Sequence, residues 1–447
     1  MSLTFPIKPY KSRGGAHIPH HKITARAKSV TMPPPEKVVI PMLQNVGAPC
    51  TPLVKKGDHV YRGQKIGESQ AYISAPIHAS ISGTVSKIDK IMLSNGQMVD
   101  AVFIDSDGLM ESAPDLTPPI VSNAAEFAQA IKESGLVGLG GAGFPAYVKL
   151  QPNKPIDTII INGAECEPYV TSDNRCAIEE PKAVLEGVYA IKNILDVHRV
   201  IIAVENNKPD VIEVLTEIAN NQEYDPDDEV RILPLESSYP QGAEKVLIKS
   251  CTNREVPPGM LPADVGCLVM NITSVAFIAK YLKTGMPLVS KRVTVSGTAI
   301  HTPGNVIAPI GTMLSDIIDF CGGYSVEPKK ILLGGPMMGT AITNTEIPLV
   351  KQNNAILAFS DKKAMLPETT SCIRCGRCVS TCPMNLVPSM LEKAALSKDV
   401  EALTNYNVTV CMECGTCAFG CPANRRLVQS IRLGKSILRN ANTEKKG

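Results

Sequence analysis

The spacing of apolar positions changes several times along this chain, and each change predicts a different kind of element. After residue 36 the apolar residues come in short pieces parted by Gly and Pro, in EKVVIPML, TPLVKKGDHVYRGQKIGES, AYISAPIHASISGTVSKI and MVDAVFI. Short strands with turn residues at this spacing predict a small all-β module. In NAAEFAQAIKESG the residues Ala125, Phe127, Ala128, Ala130 and Ile131 form one helical face, with Ser122 or Asn123 as the N-cap. The run DTIIINGAECEP then reads as a buried strand, Thr158 to Ile161. Helix EPKAVLEGVYAIKNIL, strand RVIIAVE, helix KPDVIEVLTEIANN and strand VRILPL follow it. This alternation predicts a parallel sheet sandwiched by helices.

Beyond it, CTNREVPPGMLPADVG reads as a surface loop before the helix NITSVAFIAKYLKTG. The pieces KRVTVSG, NVIAPIGTMLSDIIDFCGG and KKILLGGPMMG read as a strand, a strand plus helix, and a strand with a glycine turn. Two helices are expected near the C-terminus, in SMLEKAALSKDVEALTNY and ANRRLVQSIRLGKSILR. Proline clusters at Pro33 to Pro35 and at Pro114, Pro118 and Pro119 punctuate the chain, and the segment from Pro348 to Pro367 connects to a cysteine-rich end. The expected units are an arm at 1–32, modules at 33–113, 114–286, 287–350 and 351–440, and a tail at 441–447.

Composition narrows the function classes. With 45 Lys+Arg against 43 Asp+Glu, a net charge of +2, no Trp and 4% aromatic residues, the chain lacks both the basic footprint and the stacking platforms of a nucleic-acid binder. The N-terminal MSLTFPIKPYKSRGGAHIPHHK is basic without the apolar core of a signal peptide and is expected to be an ordered or semi-ordered arm. CLVMNITSVAFIAKYL is broken by Asn271, Thr273 and Ser274, so no direct membrane span is expected.

Between the first helix and the strand at Thr158 lies GLVGLGGAGFPAYVKL, in which Gly138, Gly140 and Gly143 spell G-x-G-x-x-G. The dinucleotide fingerprint needs a strand before these glycines and a helix after; here a helix precedes them. Alone, the string is either a phosphate-cradling loop or a mobile turn. Asn162, Glu165 and Glu167 leave the end of the Thr158 strand, where ligands sit in open α/β sheets. Glu165 has two readings, a carboxylate beside bound nucleotide or a helix N-cap or salt-bridged loop residue. Met337 and Met338 read as packing filler. The basic residues of the last helix, Arg425, Arg426, Arg432, Lys435 and Arg439, read as a solvated face, with docking on an acidic partner or membrane surface as the alternative.

The most specific pattern is in the cysteines. Cys372, Cys375, Cys378 and Cys382-Pro383 are repeated as Cys411, Cys414, Cys417 and Cys421-Pro422, each reading C-x2-C-x2-C-x3-C-P. This is the pattern of bacterial ferredoxins. Zinc would need two pairs rather than a triplet with an outlier, and a chain of 447 residues buries a core without disulfides. The fourth cysteine stands too far along to close its own cube. A crossed arrangement is expected, with Cys372, Cys375, Cys378 and Cys421 holding one 4Fe-4S cluster and Cys411, Cys414, Cys417 and Cys382 the other. The remaining six, Cys50, Cys166, Cys176, Cys251, Cys267 and Cys321, show no ligand spacing and are expected to be buried thiols.

Two resemblances extend this reading. VKKGDHVYRGQKIGE with APIHASISGTVSKI resembles the barrel-sandwich domain of lipoyl and biotin carriers, but no Lys lies between Lys65 and Lys87, and Ser69 or Gln70 stands near the carrier position. The likeness implies the fold without the cargo. GLGGAGFPAYVKL, NGAECEP, YPQGAEKVLI and NITSVAFIAKYL resemble the flavin- and NADH-binding subunit of respiratory complex I. The domain order, from a GGAHIPHHK arm to two ferredoxin runs, resembles more closely the C subunits of Rnf complexes, the membrane-linked ferredoxin:NAD oxidoreductases.

This resemblance implies a multidomain fold: a Rossmann-like flavin domain, a barrel-sandwich module, a β-grasp soluble-ligand-binding module and a helical two-cluster domain. Gly138, Gly140, Gly141, Gly143 and Phe144 would form the flavin-phosphate and ring loop, with Lys149 reaching the flavin. Asn162, Glu165 and Glu167 would lie beside the isoalloxazine, the two glutamates as catalytic residues. Tyr239, Gly242, Glu244 and Lys245 would help bind nucleotide, and Asn271 with Thr273 would form the loop behind the flavin. Ala164 and Lys245 depart from the complex I pattern, which has an acid and a small polar residue there.

The implied cofactors are FMN and two 4Fe-4S clusters, with NAD(H) as substrate. The implied partners are integral-membrane and ferredoxin-like subunits, and the implied location is peripheral, on the cytoplasmic face of the cell membrane. The implied function is exchange of hydride with NAD(H) at FMN and relay of single electrons through the clusters of an ion-translocating complex. A soluble cobalamin reductase, a complex I type subunit and a cofactor-free adaptor remain as alternatives.

Overall fold

A computed structural model describes residues 8–220, 229–360 and 364–444. Positions 1–7 of the expected arm, 445–447 of the expected tail, 361–363 of the connecting segment and 221, the last position of an expected helix, lie outside it.

Its centre is a four-stranded parallel sheet in the order Val230–Leu235, Val200–Glu205, Thr158–Gly163, Cys267–Asn271. Ile159, Ile160, Ile161, Ile201 and Ile202 are fully buried, as strands covered on both faces require. The helices Pro181–Leu195, Pro209–Ala219 and Ile272–Thr284 contribute Val184, Leu215 and Val275 to the core on one face. Helix Glu244–Thr252 covers the other through Leu247 and Ile248. Asn123 caps helix Ala124–Glu133 by accepting from the Glu126 N–H at 2.9 Å.

The strand Cys267–Asn271 escapes the sequence reading, which passes directly from a loop to a helix at this point. Its short apolar run abuts the helix without a turn: Asn271 ends the strand and its side chain caps the helix, accepting from Ser274 N at 3.1 Å. This strand makes Thr158–Gly163 interior and creates a topological switch point between the two, where Asn162 and Asn271 face each other in register.

Two β modules flank this domain. The first pairs a sheet ordered Lys37–Pro41, Met98–Ser106, Gly83–Met92, His59–Val60 with a three-stranded sheet ordered Thr51–Pro52, Lys65–Glu68, Ile77–His78. Between Lys65–Glu68 and Ile77–His78, where a carrier would present its lysine, the loop instead docks: Tyr147 of the central domain donates its hydroxyl to the Tyr72 carbonyl.

The second is a six-stranded sheet ordered Ser29–Thr31, Gly304–Pro309, Ser290–Ser296, Ala355–Phe359, Lys330–Leu333, Thr340–Ile342. It departs from the expected boundaries at both ends. The arm supplies an edge strand, Ser29–Thr31, and Ala355–Phe359, beyond the expected limit at 350, is interior to the sheet with its five residues buried. The alternation around Ala355 is hidden because both faces of this strand are covered.

Candidate functional site

The loops leaving the switch point enclose a cavity of about 240 Å³. One wall is the glycine segment, closed by Gly138 N–H donating to the Phe144 carbonyl at 2.8 Å. Leu139 in its middle is held from two sides, its N–H donating to Ser274 Oγ at 3.0 Å and its carbonyl accepting from Lys291 Nζ at 2.8 Å. Gly140 passes so near Asn271 that an added Cβ would meet its Nδ2 at 2.7 Å, so any side chain there would displace the Asn271 amide.

Gly138, Gly140, Gly141, Gly143, Phe144, Lys149, Asn162, Glu165, Glu167, Tyr239, Gly242, Glu244 and Asn271 all line this cavity. Two of the residues singled out from the sequence do not. Thr273 turns behind it and donates to Asp173 Oδ1 at 2.6 Å, while Asn271 Nδ2 donates to Asp173 Oδ2 at 2.7 Å. Lys245 lies in an adjoining cleft with its Nζ on the Pro257 carbonyl at 3.3 Å. Lys149 is at the cavity wall but already engaged, its Nζ 2.7 Å from Glu244 Oε1.

The two glutamates have different surroundings. Glu165, with a side chain 3% exposed, accepts from the Asp173 and Asn174 N–H groups at 2.7 and 3.2 Å, at the N-terminus of helix Ser172–Glu179. Of its two sequence readings the structure bears out the helix-terminus one, since Glu165 bonds the first amides of this helix; it also lines the cavity. Burial pushes its pKa up to about 7, against the pull of Lys22. Glu167 accepts from the Met337 and Met338 N–H groups at 3.0 and 2.8 Å and from the Tyr239 hydroxyl at 3.3 Å. Burial raises its pKa too, opposed by these donors. The methionine pair is therefore not mere filler: its amides anchor the carboxylate, and Met338 also lines the cavity.

Asp173 was missed in the sequence, Cys166 was expected only as a buried thiol and is instead half-buried at the cavity, and the arm's place beside the site was not foreseen. Cys166 lines the cavity, and burial pushes its thiol up to about 12. The acidic residue in SDN at a helix start was the available signal for Asp173; nothing in the arm's sequence announces its contacts.

The cysteine runs fold as two copies of one backbone. Arg374 and Glu413 take φ of +58° and +61°, and Gly376 and Gly415 take +77° and +84°, at matching positions. Cys382 joins Cys411, Cys414 and Cys417 around one cavity, and Cys421 joins Cys372, Cys375 and Cys378 around the other. All eight are free thiols. The first cavity is the inner one: Cys414 and Cys417 are 8% exposed, and a Cβ on Gly415 would lie 3.2 Å from the Met337 carbonyl. The second opens to solvent at Cys372 and Cys375.

Along the basic last helix Arg426, Arg432 and Arg439 are exposed, as a solvated face requires, while three of the five basic residues also make contacts within the chain. Lys435 Nζ donates to the Cys411 carbonyl and pairs with Glu413, both at 2.6 Å; Arg432 pairs with Glu413 at 2.7 Å and Arg425 with Glu392 at 3.0 Å. A cleft of about 1190 Å³, lined by Gly140, Gly141, Glu167, Lys245, Met338 and Cys411 among others, runs from the glycine loop to the inner cysteine loop.

A glycine-lined cleft at a sheet switch point, joined to paired four-cysteine cavities, defines a flavin and iron-sulfur protein class. Family models agree: the Nuo51 FMN-binding domain matches residues 131–280, the RnfC barrel sandwich hybrid domain 10–109, the SLBB domain 292–341 and the 4Fe-4S dicluster domain 364–431.

The chain is 44% identical to the C subunit of the proton-translocating ferredoxin:NAD(+) oxidoreductase complex of Clostridium ljungdahlii, over 97% of this chain and 95% of that protein. It is 42% identical to the C subunit of the Na(+)-translocating ferredoxin:NAD(+) oxidoreductase complex of Acetobacterium woodii, over 96% and 97%. It is 40% identical to the C subunit of the ion-translocating oxidoreductase complex of Rhodobacter capsulatus, over 98% and 85%. The chain belongs to this family, the C subunits of Rnf ion-translocating ferredoxin:NAD+ oxidoreductases. It has an FMN-binding domain and a 4Fe-4S dicluster domain.

A solved NAD+-reducing NiFe hydrogenase in its H2-reduced state shares the fold, with a TM-score of 0.50 and 18% identity over 71% of this chain. The match covers 63% of that hydrogenase chain, less than two thirds of it. Among the described residues no helix is long and apolar enough to cross a membrane.

Proposed function

We propose that this chain is the nicotinamide-facing subunit of an ion-translocating ferredoxin:NAD+ oxidoreductase, exchanging electrons between NAD(H) and one-electron carriers of the same complex. Flavin supplies two-electron hydride exchange and 4Fe-4S clusters supply single-electron transfer, so a chain binding both converts one currency into the other.

In this reading the glycine loop takes the FMN phosphate on backbone amides, and Asn162, Glu165 and Glu167 border the ring. The nucleotide reaches it through the adjoining cleft past Lys245. Cys382, Cys411, Cys414 and Cys417 hold the inner cluster; Cys372, Cys375, Cys378 and Cys421 hold the outer one. The outer set faces solvent beside exposed Ile373, where a ferredoxin-like subunit would dock. With integral-membrane partners, the protein would sit peripherally on the cytoplasmic face of the cell membrane.

The observation that carries this reading is the Gly334–Gly339 turn. Its Met337 and Met338 amides bind Glu167 on the flavin side, and its Met337 carbonyl lies against Gly415 on the cluster side. One short turn thus fixes the flavin cleft relative to the inner cluster. The test is anaerobic reconstitution with FMN and iron sulfide: NADH should bleach the flavin and then reduce the clusters. Flavin that stays oxidised in the loaded chain at saturating NADH rejects the proposal.

A further inference from the structure

We propose that Lys22, on the N-terminal arm, is a positioning residue of the flavin site, closing the loop 165–170 from behind. Its ammonium has three carbonyl acceptors, Glu165 at 2.8 Å, Glu167 at 3.1 Å and Val170 at 2.5 Å. Three N–H donors on one pyramidal nitrogen match three carbonyls that converge on a point; the planar guanidinium of Arg would not. The same nitrogen lies 3.9 Å from Glu165 Oε2, with side-chain exposures of only 10% and 3%.

The arm is laid along this loop over several residues. Tyr169 N–H donates to the His20 carbonyl at 2.9 Å, His21 stacks on Tyr169 with centroids 4.9 Å apart, and the Thr24 and Thr171 hydroxyls are 2.6 Å apart. Lys22 is the only one of these arm residues whose side chain bonds both glutamate positions. Because Glu165 and Glu167 line the cavity while Lys22 does not, Lys22 acts through them.

The charges around the pair come from several elements. Asp173 faces Glu165 from the helix start, and Lys208 from beyond Val200–Glu205, its Nζ on the Ala164 carbonyl at 2.6 Å and on Glu205 at 3.2 Å. Glu205, Lys208 and Cys166 face Lys22, and His20 lies in the same field. Burial lowers Lys22 to about 8 and raises Glu165 to about 7, and each opposes the other's shift. Removing Lys22 leaves Glu165 buried with Asp173 nearby, so its pKa moves further up.

The test compares full-length wild type, Lys22→Met and Lys22→Gln, each loaded with FMN and clusters. Iron content and thermal melting check folding. Lys22→Met should weaken FMN binding by about tenfold or more and move the acid limb of NADH-dependent flavin bleaching up by about one pH unit or more. Lys22→Gln, which keeps N–H donors but no charge, should recover much of the FMN affinity yet keep the shifted limb. A loop held only by packing would not move that limb.

Wild-type FMN affinity and pH profile in Lys22→Met overturn the inference. If that variant does not fold, an unshifted limb in Lys22→Gln overturns it. The pH arm rests on the oxidoreductase reading: a wild-type chain that NADH cannot bleach rejects that reading, and Lys22 is then judged on FMN affinity alone.

Discussion

The two cysteine cavities share one sequence pattern and one backbone, yet they are not equivalent parts. The inner set, Cys382 with Cys411, Cys414 and Cys417, is packed under the Met337 turn and clamped by Lys435. The outer set, Cys372, Cys375, Cys378 and Cys421, lies at the surface. What differs is what each loop leans on. A repeated motif fixes the chemistry that can be held, while the surrounding domain decides whether that chemistry faces the flavin or a partner.

The largest expected effect separates the two directly. Cys414→Ser should remove one cluster, taking iron from ~8 to ~4 per chain, and lower NADH-driven reduction of the outer cluster by ~100-fold or more while the flavin still bleaches. Cys375→Ser should lose the same amount of iron yet leave the inner cluster reducible by NADH and abolish only delivery to an external one-electron acceptor. Equal losses at every stage in both variants would erase the distinction. A smaller effect concerns access: an iron chelator should strip the outer cluster about tenfold faster than the inner one, followed by loss of charge-transfer absorbance, because burial limits attack.

Gly335→Ala should weaken the bridge between the flavin and the inner cavity. Its Cβ would fall on the Glu167 carboxylate, so that side chain or the turn must move, at a cost of ~1–3 kcal/mol. Flavin-to-cluster transfer should slow more than flavin reduction by NADH, and single-turnover kinetics would separate them.

Buried Lys351 donates to the Pro76 and Gly135 carbonyls at 2.6 and 2.7 Å, joining three domains. Burial lowers its pKa to about 7. The unfolded chain therefore holds more protons between pH 7 and about 10.4, and this lysine's contribution to stability rises with pH across that window. Lys351→Met should melt earlier and should remove that rise. An unchanged pH slope would show that Lys351 is not charged differently in the two states.

Much of this was legible in the sequence, for reasons that differ by region. The cysteine spacing carries its own geometry, because three thiolates in C-x2-C-x2-C converge on one cavity and the outlier must go elsewhere. The strand at Thr158 was legible because a run of β-branched residues has few other uses. The strand Cys267–Asn271 was not, since its apolar run continues into a helix without a turn, and with it the switch point stayed hidden. The roles of Lys22 and of the Met337 and Met338 amides were also hidden. Backbone hydrogen bonds have no residue signature, and one lysine in a basic arm looks like any other.

The most direct measurement is rapid-mixing reduction of the loaded chain by NADH without oxygen, with paramagnetic resonance reporting the two clusters. The account predicts flavin bleaching first, then the inner cluster, then the outer, with the outer signal lost in Cys414→Ser. An outer cluster reduced at the wild-type rate when Cys414 is replaced would contradict it.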